Sequence, residues 1–69
     1  MQNDNEYVVY SSYYKDSKEA VVVKNKENGS WGVILKEEGK QDLLEYYPTH
    51  NESWADSVAE NFVEGIRQR

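Results

Sequence analysis

From Glu6 to Tyr14 the chain is rich in Tyr and Val, residue types that suit a strand. Lys15-Asp16-Ser17-Lys18 is a polar break. Glu19 to Lys26 follows, with Val21-Val22-Val23 at its centre, a β-branched run that resists helix formation. Glu27-Asn28-Gly29 reads as a hairpin connection, Ser30 to Glu37 as a third strand, Glu38-Gly39 as a second turn, and Gln41 to Tyr47 as a shorter fourth strand. Pro48 stops the ladder, because it has no N–H to give. Beyond it the apolar period lengthens from two to about 3.6. Trp54, Val58, Phe62 and Ile66, with Ala55, Ala59 and Val63 alongside, make one stripe on a helix predicted from about His50 to Arg67. Thr49 and Glu52 have capping-box spacing, with Asn51 as a competing cap. Arg67 and Arg69 fall at the negative end of the helix dipole. The pattern predicts a single α+β domain over 1–69. Its expected form is a four-stranded antiparallel β-meander packed on one C-terminal helix (ββββα), with 1–5 as a frayed tail.

Register follows from turn chemistry. If Glu27-Asn28-Gly29 is a three-residue loop with Gly29 left-handed, Val23 opposes Val33, Val21 opposes Leu35 and Asn25 opposes Trp31. A two-residue Asn28-Gly29 turn would pair Lys24 with Val33 and Lys26 with Trp31, setting two lysines against the core. The longer loop is therefore expected. A two-residue Glu38-Gly39 turn then opposes Leu44 to Val33 and Tyr46 to Trp31. The expected core face is Val21, Val23, Trp31, Val33, Leu35, Leu44 and Tyr46, with Trp54 meeting Trp31 from the helix. Gly32 lies inside a strand, where it relieves crowding beside Trp31, marks a bulge, or admits another backbone.

Composition narrows the chemistry. There is no Cys and a single His, so neither a disulfide nor a thiolate metal site is available, and no metal and no cofactor are expected. The four glycines form no phosphate-binding loop. His50, the only imidazole, has no nucleophile and orienting group spaced to serve it. Adjacent acids such as Glu37 and Glu38 point to opposite faces of a strand. The chain is accordingly expected not to be an enzyme. A formal net charge of −5 opposes binding to nucleic-acid phosphates and anionic membranes. The charge concentrates in 41–69, which hold six acids and two arginines. No apolar run approaches a membrane span. The start, Met1 to Glu6, has neither the basic nor the apolar stretch of a signal peptide. A cytoplasmic location is expected.

Two surfaces are candidates for partner binding. The first is the outer sheet face, where the expected register turns Val22, Ile34, Leu43 and Tyr47 outward, rimmed by Lys24, Lys26 and Lys36. Such a cluster would suit a protein partner or a homodimer formed through the sheet face. The second is the helix row Glu52, Asp56, Glu60 and Glu64, four like charges at i,i+4 spacing that cost the isolated helix a few tenths of a kcal/mol each. The sequence thus points to a small acidic protein-interaction module, an inhibitor or adaptor of unknown partner. The alternative is a single-stranded nucleic-acid binder whose sheet Tyr and Lys residues would stack and neutralise.

Overall fold

A computed structural model describes residues 6–66. The expected tail at 1–5 and the expected helix-end arginines Arg67 and Arg69 lie outside the described residues. Four strands, β1 (Tyr7–Lys15), β2 (Lys18–Asn25), β3 (Trp31–Glu37) and β4 (Leu43–Tyr47), form one antiparallel sheet in the order β1-β2-β3-β4, followed by one helix, α1 (Glu52–Val63). The ββββα arrangement read from the sequence is the fold observed.

Both inner hairpins differ from the expected register by one residue. Val22 opposes Val33, Val21 opposes Ile34 and Lys24 opposes Trp31; on the other side Val33 opposes Glu45, Ile34 opposes Leu44 and Leu35 opposes Leu43. The first cause is Asn25. Its side-chain oxygen accepts from the N–H groups of Glu27 and Asn28, while its backbone N–H donates to Ser30 O at 2.8 Å. The loop is therefore closed by Asn25 and Ser30 and holds four residues, Lys26 to Gly29, rather than three. Gly29 keeps its left-handed conformation at φ 75°. In the second hairpin five residues, Glu38 to Asp42, separate the strands, with a turn bond from Lys40 N–H to Glu37 O at 3.0 Å. Since side chains alternate, each one-residue slip turns a whole strand over.

The consequence is a redistribution of the core. Trp31, Val33 and Leu35 face the helix as expected. Ala20 and Val22, not Val21 and Val23, join them from β2; Leu43 and Tyr47, not Leu44 and Tyr46, join them from β4. The expected outward placement of Val22, Leu43 and Tyr47 is thus corrected: all three belong to the helix side, and Val22 is fully buried. Lys24 thus faces the helix side, the side on which the rejected two-residue turn would also have put it, and is accommodated at the sheet end, where its ammonium lies 5.2 Å from the centre of the Trp31 ring. Ala20, Ala55 and Ala59 are all fully buried, and these small side chains let the helix approach the sheet closely.

Helix α1 begins at Asn51, whose side chain accepts from Trp54 N–H at 3.1 Å. The competing cap therefore prevails over Thr49. The helix stops at Val63, short of the expected Arg67, because Gly65 adopts φ 84°. Gly65 N–H donates to Phe62 O and Ile66 N–H to Asn61 O, the paired bonds of a Schellman stop. Ala55, Val58, Ala59, Phe62 and Val63 are buried against the sheet. Ile66 is left exposed beyond the stop. Trp54 is 45% exposed, so it does not share a core with Trp31 as the apolar stripe suggested.

Candidate interaction surfaces

On the sheet face away from the helix, Val21, Val23 and Ile34 form a second, smaller apolar cluster flanked by Tyr7 and Tyr46. Ile34 faces outward as expected, yet it is only 8% exposed. Tyr46 and Gly32 are cross-strand partners. A Cβ on Gly32 would run into the Glu45 carbonyl oxygen and would come within 2.7 Å of Tyr46 Cδ1. The glycine therefore serves the close approach of β4 and its ring. The Tyr46 hydroxyl donates to Glu6 Oε2 at 3.1 Å, so the side chain reaches from β4 toward the start of β1. Burial, together with the acceptor at Glu6, raises its pKa. The expected exposed cluster is in this way partly roofed by a side chain of the sheet itself, leaving Leu44, Val9 and Tyr14 as its open apolar margin.

The acidic helix row is divided. Asp56 accepts a 2.5 Å hydrogen bond from Tyr13 on β1, and Glu64 forms a 2.7 Å ion pair with Lys15 at the end of the same strand. These contacts clamp the helix to β1. The phenol of Tyr13 is pushed up to about 12 from 10.0, first by the bond to Asp56, then by desolvation and by the charges of Asp56 and Glu60. The ammonium of Lys15 is raised by its hydrogen bond to Glu64. Glu52 and Glu60 are exposed.

A third surface was not foreseen. Tyr10 packs edge-on against Trp31 with ring centres 4.7 Å apart. Trp31 is the cross-strand partner of Tyr47. The turn bond from His50 N–H to Tyr47 O, with Pro48 at its second position, brings His50 back over Tyr47, 6.4 Å between ring centres. His50 then stacks on Trp54 at 4.2 Å and 13°. Tyr10, Trp31, Tyr47, His50 and Trp54 thus make an aromatic strip on the helix side of the sheet, running from β1 to the helix start, with Trp31 and Tyr47 as cross-strand neighbours at its middle. Tyr10 is 51% exposed. Lys24 sits over Trp31 and the carboxylate of Glu45 accepts from the Tyr47 hydroxyl at 2.6 Å. Glu52 follows in the first helical turn.

The signal for this strip was present as the spacing of Tyr47, His50 and Trp54, three and four residues apart across a Pro turn. It was masked because Trp54 also fits the apolar period of the helix. Among the described residues there is no cavity and no group of three or more His, Cys, Asp or Glu placed to hold a metal. No helix among them is long and apolar enough to cross a membrane. The chain matches no protein-family model, no curated protein and no solved structure.

Proposed function

We propose that the chain is a non-enzymatic protein-interaction module, an inhibitor or adaptor working in the cytoplasm, that takes an extended, arginine-bearing segment of its partner along the aromatic strip. The observation that carries this reading is the succession of Tyr10, Trp31, Tyr47, His50 and Trp54, in which Tyr10, His50 and Trp54 are exposed and Trp31 and Tyr47 half-buried. Aromatic faces with polar edges are favoured anchors for partners. A guanidinium stacks on such faces and pairs with carboxylates at the same time. The β4 and helix half of the strip lies in the most acidic third of the chain, next to Glu45 and Glu52, which complements a cationic segment. The exposed acids of the row, Glu52 and Glu60, add to the negative charge of this part of the chain.

The test is tryptophan fluorescence during titration with a peptide of alternating proline and arginine, which is extended in solution. The reading expects saturable binding, weakened several-fold by replacing arginine with lysine and lost in Trp54→Ala. Equal affinity for both peptides, or an unaffected Trp54→Ala, overturns it. The single-strand nucleic-acid reading retains one supporting observation, the Lys24 ammonium over Trp31. Salt-sensitive binding of an oligothymidylate by the same strip would replace the first reading with the second.

A further inference from the structure

β1 is one edge of the sheet, paired with β2 alone. The two edges are treated very differently. β4 is five residues long, carries Glu45 and ends against Pro48, all features that discourage further pairing. β1 is nine residues long, and Tyr7 to Tyr14 contains neither a charge nor a proline. Val9 is 57% exposed and Tyr14 74%. The one irregularity in β1 is a bulge between Val9 and Ser11.

That bulge makes the strand self-complementary. Pairing with β2 puts Tyr7 and Val9 on the outer face, beside Asn25 and Val23; after the extra residue, Ser12 and Tyr14 are on the outer face, beside Val21 and Glu19. Val8 and Tyr13 are on the helix side, as is Tyr10, whose ring meets Trp31. Consider a second copy of β1 running antiparallel, with the twofold axis between Tyr10 and Ser11. Tyr7 then opposes Tyr14, Val9 opposes Ser12 and Val8 opposes Tyr13, so every pair shares a face. A shift of one residue in either direction breaks this match, because each pair off the axis then sets an outer-face residue against a helix-side one, as Tyr7 against Tyr13 or Val8 against Tyr14. The helices fit as well. α1 reaches β1 at Tyr13 and Lys15, whereas Val8 and Tyr10 are left exposed. Each covered half would lie beside the partner's bare half.

We propose that two copies of this chain pair through β1, in this register, to form one continuous antiparallel sheet. The pairing stands on the strand geometry and is independent of the ligand reading. It has one consequence for that reading: Tyr10 lies at the axis, so the aromatic strips of the two copies meet end to end. An extended partner segment would then have a surface twice as long as one copy offers.

Sedimentation velocity over a concentration series tests the pairing with charge variants at exposed outer-face positions. The parent sediments as a particle of twice 8.1 kDa at the upper end of the series. The double variant Val9→Lys with Ser12→Lys places like charges opposite each other at both cross-axis pairs and shifts the midpoint for dimer formation upward at least tenfold. Val9→Lys with Ser12→Glu carries an equally foreign pair but places opposite charges together, and restores dimer formation. A parent that stays at 8.1 kDa throughout, or a Lys/Glu variant as weak as the Lys/Lys variant, overturns the proposal. Amide hydrogen exchange of the parent gives a reading that needs no variant. The β1 amides slow with rising concentration and the β4 amides do not; the reverse, or no change in either, also overturns it.

Discussion

The Tyr13 hydroxyl and the Asp56 carboxylate, 43 residues apart in the chain, are joined by a 2.5 Å hydrogen bond. It ties the helix to the edge strand, and with Lys15–Glu64 it fixes which way the helix lies across β1. The pKa of Tyr13 is raised to about 12, above its ordinary 10.0. A phenol that holds its proton more tightly when folded contributes stability that is fully present below pH 10 and is lost as pH rises through the folded value. Unfolding free energy of the parent should therefore fall between pH 10 and about 12 more steeply than that of Tyr13→Phe. At neutral pH the same substitution should cost about 1–2 kcal/mol, the scale of a hydrogen bond to a charged acceptor at a half-buried site. Denaturant melts at several pH values check both. Parallel pH curves for parent and variant would show that the bond contributes nothing.

The turn between β1 and β2 is strained. Asp16 and Ser17 both have positive φ, 52° and 68°, as a two-residue mirror-image turn demands, and neither is Gly. Ser17→Gly should stabilise the chain by roughly 1 kcal/mol, since it removes the left-handed penalty without touching any packed atom. A thermal melt suffices, and a lowered melting temperature would contradict the turn geometry.

Gly32→Ala should destabilise by about 2–3 kcal/mol, as overpacking does, because the added methyl meets the Glu45 backbone and the Tyr46 ring. Gly29→Ala should cost nearer 1 kcal/mol, for conformational reasons alone, since Lys24 Cε is its nearest neighbour at 3.8 Å. Chemical denaturation of the two variants side by side gives the order. Equal losses would mean that Tyr46 moves aside.

Phe62→Ala should cost about 3–5 kcal/mol and leave little folded protein, since Phe62 is the largest of the fully buried side chains. Trp54→Ala should cost no more than about 1 kcal/mol, because the ring is half exposed and rests on His50 rather than in the core. A Trp54 variant that unfolds like the Phe62 variant would return that side chain to the core.

Element identity was legible in the sequence because it rests on local signals: Tyr and Val runs, Gly-containing turns, and a change of apolar period after Pro48. The faces were not, because they depend on loop length. Asn25 captures two backbone N–H groups and lengthens its loop by one residue, and this turned Val22 inward and Val21 outward. Weighing lysines as unable to face the helix side failed for a related reason. Lys24 lies at the sheet end, where its ammonium sits over the Trp31 ring. The acidic row was expected as one line along the helix, and two of its members, Asp56 and Glu64, reach β1. That β1 would supply Tyr13 and Lys15 to half of it was not readable, since nothing in the sequence states where an edge strand passes beneath a helix. The aromatic strip was lost for want of the same long-range information, with its members spread from Tyr10 to Trp54.

The most direct measurement of the central claim is a ¹⁵N-edited NMR titration with the proline–arginine peptide. The chain has two tryptophans, hence two indole N–H signals, one from Trp31 in the sheet part of the helix-side strip and one from Trp54 at its helix end. The account predicts that both indole signals and the Tyr10 and His50 amides shift together and saturate at one peptide per chain, while Ile34 and Leu44 on the opposite face stay in place. Shifts centred on Ile34 and Leu44 with the indoles unmoved would contradict it.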